Sequence, residues 1–237
     1  MVVVGVTGTN GKSTTVDMIS RIFREAGLKA ASLSSIRFQI LDKEWRNKMK
    51  MTMPGRFVIQ RFLRQAKDAG CTHVVLEVTS EGMLQHRHRF INFHTAVFTN
   101  LSPEHIERHG SFENYKRTKG KLFQAAQKVH VINAEDEHAS YFMQFPAEKI
   151  IRYSLADANS IQLSLKLLGE FNVSNALAAI SVAKEFSIPL DVCTRALEKM
   201  EVVPGRMEVV VKEPFRVFVD YAFTPAALEK VYQTLKP

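Results

Sequence analysis

Residues 3–15 read VVGVTGTNGKSTT, an apolar run that breaks into a glycine-rich turn and a Lys-Ser pair. Few sequences constrain a fold as tightly. Val2–Val6 predicts a buried strand. Thr7–Gly11, including Gly8, Thr9 and Asn10, supplies the small residues whose backbone N–H groups can curl around a phosphate chain. Lys12 can reach the β- and γ-phosphates, and the Ser13 hydroxyl can hold Mg²⁺, with Thr14 beside it. A helix opening near Lys12 aims its positive end at the same phosphates. The segment therefore implies a nucleoside triphosphate site. The match to the general phosphate-loop pattern is incomplete, because Val6 stands where that pattern has its first glycine and the nearby glycines are Gly5 and Gly8. The bland alternative is an ordinary strand–turn–helix with a chance Gly-Lys-Ser.

A chain of 237 residues can bury a large core in one or two domains. A charged fraction of 24% beside 46% hydrophobic residues argues against disorder. No apolar stretch reaches about 18 residues, so no membrane span is expected. The first residues are a strand and a loop with no basic segment and apolar stretch of a signal peptide, which points to the cytoplasm. Cys71 and Cys193 lie far apart and at no zinc-ligand spacing, and read as two buried thiols in a reducing compartment. The net charge of +8 favours anionic ligands. Apart from the knot His86-Arg87-His88-Arg89 the basic residues are scattered, with no aromatic RNA-binding signature, so no nucleic-acid partner is expected.

Apolar runs alternate with helical patterns along the chain. Strands are predicted over Val2–Val6, Lys29–Leu33, His73–Val78, Thr95–Thr99, Val129–Asn133, Lys149–Tyr153, Ile161–Leu167, Met207–Val211 and Val217–Asp220. Helices are predicted over Lys12–Ala26, Gly55–Ala69, Phe112–Gln127, Asn172–Phe186, Asp191–Met200 and Pro225–Leu235. The alternation implies an α/β fold, doubly wound, with a mainly parallel sheet and helices on both faces. Arg37–Lys48 reads as an added hairpin. In such sheets ligands bind at the carboxyl ends of the strands. Polar clusters follow four of the predicted strands, at Gly8–Ser13, Glu77–Glu81, Asn100–His105 and Asn133–Asp136, and suggest one shared site.

Glu77 closes a buried run, where a carboxylate needs a cation or donors. It reads as a Mg²⁺ ligand or as a salt-bridged strand-end acid. His105 follows another strand and is either a metal ligand or structural. Lys119 falls in the middle of an apolar stripe formed by Phe112, Tyr115, Leu122, Phe123 and Ala126. A lysine there must snorkel, pair with an acid or lose its proton, and a neutral amine can capture CO₂ as a carbamate. Asn172 could cap a helix, with Asn175 a turn inside where a base or ribose could be met. Arg206 follows a Pro-Gly turn and could clamp a phosphate or sit in a surface salt bridge. Asp220 ends a strand and could accept a ribose hydroxyl, while Thr224 could cap the helix that Pro225 opens.

Taken in order, these segments resemble the Mur ligase family, and most closely its branch that adds the third residue of the stem peptide. The carrying segments are Thr7–Ser13, Thr52-Met-Pro54, Glu77–Ser80, Thr99–Ser102 with Glu104-His105, Tyr115-x₃-Lys119-x₂-Leu-Phe123, Asn133–Asp136, Gly169-x-Phe-Asn-x₂-Asn175, Pro204–Glu208 and Asp220-Tyr-Ala-x-Thr-Pro225. The resemblance implies the family's central ATP-binding domain over residues 1–216 and the start of a C-terminal ligase domain over 217–237, with no N-terminal UDP-binding domain. It implies ATP and two Mg²⁺ ions as cofactors. Lys12 and Ser13 would serve the triphosphate and first metal, and Glu77, His105 and a carbamylated Lys119 the second. Asn175, Arg206 and Asp220 would meet adenine, phosphate and ribose, and Thr52, Thr79 and Ser80 the acceptor. The implied reaction is ATP-dependent amide formation through an acyl phosphate, joining an amino acid to an anionic UDP-muramoyl-peptide in a monomeric enzyme. A folylpolyglutamate synthetase-like ligase, or a nucleotide-binding module without turnover, are the alternatives. Four positions depart from the family pattern: Glu81 and Phe223 replace histidines, Glu104 precedes His105 in place of Asp, and Met53 replaces a threonine.

Overall fold

The computed structural model describes residues 1–49, 51–104, 106–161 and 163–236. Its elements run β1 (Val2–Thr7), α1 (Lys12–Glu25), β2 (Ala30–Leu33), β3 (Arg37–Ile40), β4 (Lys43–Arg46), α2 (Arg56–Asp68), β5 (His73–Glu77), α3 (Ser80–Leu84), β6 (Thr95–Phe98), α4 (Ile106–His109), α5 (Phe112–Ala125), β7 (Val129–Asn133), α6 (Ala139–Met143) and β8 (Lys149–Tyr153). A 3₁₀ turn over Leu155–Ser160 leads to α7 (Glu170–Glu185), α8 (Leu190–Glu198), β9 (Glu208–Val211), β10 (Val217–Val219) and α9 (Pro225–Leu235).

Side chains alternate across a strand, and here the alternation builds two cores. Val4 and Val6 of β1, with Val75, Val97 and Val131 from its neighbours, face one side and pack under α1, α7 and α8. Val3, Val74, Leu76, Ala96, Phe98 and Ile132 face the other, under α2, α5 and α6. Gly5 also points to this second side. A Cβ there would come within 2.9 Å of both Leu122 and Phe93, so the bare backbone is what lets α5 lie close on the central strand. The alanine-rich α7, buried from Ala176 to Ala183, is apolar all round because it is wedged among the sheet, α1 and α8.

The main sheet has the order β4-β3-β2-β5-β1-β6-β7-β8. From β2 to β8 every pairing is parallel, and the β3–β4 hairpin adds two antiparallel strands at one edge. The doubly wound parallel architecture and the added hairpin expected from the sequence are both present. With β1 central, its carboxyl end sits beside those of β5 and β6, in register Val6↔Glu77 and Thr7↔Phe98.

The strand expected over Ile161–Leu167 is not formed among the described residues of that stretch. Leu163, Leu165 and Leu167 pack half-buried on the first core rather than pairing with the edge strand β8, so their alternation reports burial without a ladder. Asn172 does not cap α7, which begins two residues earlier after Gly169. Thr224 does cap α9, accepting the Ala227 N–H at 3.3 Å, with Pro225 at the first helical position. β9 and β10 form a separate antiparallel pair that spans the boundary drawn at residue 216 from the sequence. Short helices α3, α4 and α6 follow strand ends and were not foreseen, being too brief to show a period.

Candidate active site

The loop between β1 and α1 is stapled to the end of β6. The Thr9 N–H donates to the Asn100 carbonyl (2.8 Å) and the Asn10 N–H to Asn100 Oδ1 (2.9 Å). The Asn10 carbonyl accepts from Thr99 Oγ1 (2.7 Å) and Asn100 Nδ2 (3.1 Å). Two glycines make this approach possible. Gly8 has φ +154° and a Cβ there would fall 1.9 Å from Thr99 Oγ1; Gly11 has φ +82° and its Cβ would fall 2.3 Å from Asn175 Oδ1.

Two lysines converge on this loop. Lys12 Nζ donates to the carbonyls of Gly8 (3.1 Å) and Thr9 (2.6 Å). Lys119 reaches in from α5 and donates to the same Gly8 carbonyl at 2.7 Å, its Nζ 4.6 Å from the centre of the Tyr115 ring. Lys119 is 2% exposed, as its place on the apolar stripe of α5 foretold. Burial pulls its pKa well below the ordinary lysine value, and the Lys12 charge pulls further, against Glu104 and Glu77. Lys12 is also lowered, first by desolvation; Glu77 and Glu104 oppose this and Arg206 adds to it. Neither lysine forms an ion pair with a carboxylate among the described residues.

Glu77, 3% exposed, lies across the loop at the tip of β5. Its Oε2 accepts from Ser13 Oγ (2.9 Å) and from the Ser35 N–H (2.8 Å). Ser13 Oγ is also 2.8 Å from Ser35 Oγ and accepts from Arg206 Nη2 at 3.3 Å. A buried carboxylate and a hydroxyl in contact at a helix start form a pair of hard oxygen donors, the type that suits Mg²⁺. His105 lies outside the described residues. Among those described, no group of three His, Cys, Asp or Glu side chains is arranged to hold a metal.

Lys12, Ser13, Ser35, Glu77 and Arg206 line one cleft of about 1930 Å³, whose wall includes residues of all four strand-end clusters singled out in the sequence, while Lys119 lies buried behind it. Thr14 is buried on the first turn of α1 and also lines it. Asn175 accepts from Thr15 Oγ1 (3.3 Å) and donates to Asn172 Oδ1 (3.3 Å), so its amide is oriented beside Gly11. Asp220 accepts the Met207 N–H (2.7 Å), and the Arg206 guanidinium lies 5.0 Å from the Tyr221 ring centre. At the far end, Thr52 lines the cleft, Thr79 caps α3 through the Gly82 N–H (3.1 Å), and Ser80 Oγ is 3.1 Å from His109 Nε2. His109 itself is buried at the end of α4.

Three contributors escaped the sequence reading. Ser35 follows β2 as the other clusters follow their strands, a signal that was available. Asn100 and Tyr115 stood inside quoted motifs but carried no role. Tyr115 Oη is 3.1 Å from Thr9 Oγ1, tying α5 to the β1–α1 loop one turn before Lys119.

Residues 6–161 match the family model described as the Mur ligase middle domain. The chain belongs to the Mur ligase family. A UDP-N-acetylmuramyl-tripeptide synthetase of Roseiflexus sp. (strain RS-1) is 34% identical, with 100% of this chain and 54% of that protein aligned. A solved UDP-N-acetylmuramoyl-L-alanyl-D-glutamate–2,6-diaminopimelate ligase superposes with a TM-score of 0.83 at 31% identity, covering 99% of this chain and 53% of that one. A bifunctional folylpolyglutamate synthase/dihydrofolate synthase, solved with Mn, AMPPNP and L-glutamate bound, shares the fold at TM-score 0.75 and 21% identity, over 99% of this chain and 66% of that one. This Mur ligase chain thus spans about half the length of the curated relatives it matches. Among its described residues no helix is long and apolar enough to cross a membrane.

Proposed function

We propose that this chain is the ATP-binding core of a cytoplasmic, ATP-dependent carboxylate–amine ligase of peptidoglycan precursor synthesis, which adds an amino acid to a UDP-muramoyl-peptide. The observation that carries this reading is the convergence of Lys12 and Lys119 on the Gly8 carbonyl, with no ion pair from either to a carboxylate among the described residues. The Lys12 amine beside a glycine turn and a helix N-terminus creates a demand for an external polyanion. A triphosphate meets it.

Lys12 would lie along the β- and γ-phosphates, and the N–H groups of Gly8–Thr14 would cradle them. Asn175, Arg206 and Asp220 would hold the nucleoside end, and Thr52, Thr79 and Ser80 the acceptor end of the same cleft. Ser13 with Glu77 would hold a first Mg²⁺, and the family resemblance implies Glu77, His105 and Lys119 for a second, in a monomeric enzyme. When bound, these ions would neutralise the charge that develops on the transferred phosphoryl group. Lys119, held as a neutral amine by its burial, can attack CO₂; an N–C bond forms as one C=O π bond opens onto oxygen and one proton leaves the nitrogen, turning a neutral amine into an anionic oxygen ligand. The acceptor carboxylate would attack the γ-phosphorus in line, releasing ADP and giving an acyl phosphate. The incoming amine then displaces phosphate to form the amide. The protein supplies mostly orientation, through a loop fixed by Thr99 and Asn100.

The test is calorimetry on the 237-residue chain with ATP and Mg²⁺. Saturable Mg²⁺-dependent binding, lost in Lys12→Met, is expected, without amide formation by the chain alone. No binding of ATP with Mg²⁺, or robust amino-acid ligation by these residues, would overturn the reading.

A further inference from the structure

The His86–Arg89 knot plays no part in the cleft chemistry above, and the structure gives it a setting of its own. Phe57 and Phe90 are 91% and 83% exposed, the most exposed large apolar side chains described. Their two segments lie side by side. Gln60, one turn along α2 from Phe57, donates to the Arg89 carbonyl at 3.5 Å, which places the residue before Phe90 against α2. Arg56 and Arg89 directly precede these two rings in the chain, and cations gather near the neighbouring His86 and His88. Arg89, then Lys121 and Arg56, push the His86 pKa down, and the same three residues crowd His88 after its own desolvation. Among the described residues, Arg56, Arg61, Arg89 and Lys121 have no acid partner. His86 and Phe90 both sit in the left-handed region, at φ +55° and +67°. A bulky residue is strained there, and Phe90 recovers none of that cost by burial within the chain.

We propose that this face docks on an anionic lipid bilayer. Protruding rings flanked by unpaired cations are the side chains that enter the headgroup region of an anionic membrane, rings inward and cations at the phosphates. The shape favours a bilayer over single-stranded nucleic acid. Nucleic-acid sites of this composition are grooves in which bases stack, whereas rings this exposed lie in no groove, and neither lines the site cleft. The patch does border that cleft, because Arg87 of the same turn lines it and donates to the Met53 carbonyl. Docking would therefore hold the Arg87 end of the cleft near the membrane. The inference stands apart from the ATP reading.

The experiment is co-sedimentation of the 237-residue chain with vesicles of equal parts phosphatidylglycerol and phosphatidylcholine, against phosphatidylcholine alone, with oligo-uridine RNA as competitor. Binding to the anionic vesicles alone, weakened by salt, is expected. Each cation near an anionic surface contributes roughly fivefold in partition (about 1 kcal/mol), so Arg56→Glu with Arg89→Glu should lower it by about 30-fold or more. Phe57→Ser with Phe90→Ser should also release the chain, at an unchanged thermal midpoint. No binding, equal binding to neutral vesicles, binding indifferent to both double variants, or displacement by RNA that depends on the same residues would each overturn the proposal.

Discussion

Lys119→Met removes one titrating group from the interior and keeps most of the side-chain volume. The folded pKa of Lys119 lies below the 10.5 of an ordinary lysine. At pH values between the folded value and 10.5, the unfolded chain binds a proton that the folded chain does not. Stability therefore rises with pH across that window, by about 1.4 kcal/mol per pH unit for each such proton. Above 10.5 both states are neutral and the penalty is gone; below the folded value both are charged and the slope from this group vanishes. Lys12, also lowered, adds a second contribution of the same sign. The buried thiols Cys71 and Cys193, raised by desolvation, oppose both at alkaline pH, so the readout is the difference: within its window Lys119→Met should lower the slope by about one proton relative to the wild type. The variant also loses the bond to the Gly8 carbonyl, worth about 0.5–1.5 kcal/mol. That loss does not vary with pH, so slope and offset separate the two effects. Urea unfolding between neutral and alkaline pH, in buffers purged of CO₂ so that no carbamate forms, measures both. A slope equal to that of the wild type would mean that Lys119 keeps its ordinary proton when folded, and the reasoning about its neutral amine would fail.

Gly8→Ala should abolish detectable ATP binding in calorimetry, since the new Cβ would lie 1.9 Å from Thr99 Oγ1 and force the loop off β6. Glu77→Gln should bring the ATP affinities with and without EDTA close together, because it removes the charge that would help hold Mg²⁺ while keeping an acceptor for Ser13 and Ser35. Tyr115→Phe should cost about 1 kcal/mol in chemical unfolding and weaken ATP binding a few-fold, through the lost contact with Thr9 Oγ1.

The sequence was informative wherever one residue's surroundings are local. The strand, glycines and Lys12–Ser13 follow one another along the chain, and a helical period puts Lys119 on a buried stripe that the structure confirms at 2% exposure. What the sequence could not carry was which partner each polar group finds. Glu77 meets Ser13 and Ser35 because β1, β2 and β5 are neighbours in the sheet, and strand order is a long-range property. The same holds for Asn100, whose contacts to Asn10 exist because β6 lies on the other side of β1. Ile161–Leu167 failed for the converse reason: alternating leucines satisfy a core from a non-strand segment as well as from a strand, and only the adjacent edge decides whether a ladder forms.

The arrangement around Gly8 links stability to binding. Its carbonyl accepts from both lysines, and backbone dipoles are poor substitutes for an ion partner, so two amines are held where their charged forms are unfavourable. A fold optimised for stability alone would place apolar side chains there, as the rest of the α5 stripe does with Tyr115, Leu122 and Phe123. The unfavourable term is tolerable because the supporting structure is over-determined. The loop is fixed by four bonds to Thr99 and Asn100, and α5 is fixed by its apolar stripe and by the Tyr115–Thr9 contact. An incoming polyanion then finds its donors already oriented, and the desolvation already met in folding is not charged again on binding. The same preorganisation is what would let Lys12 act on a phosphoryl group without waiting for side chains to reorganise.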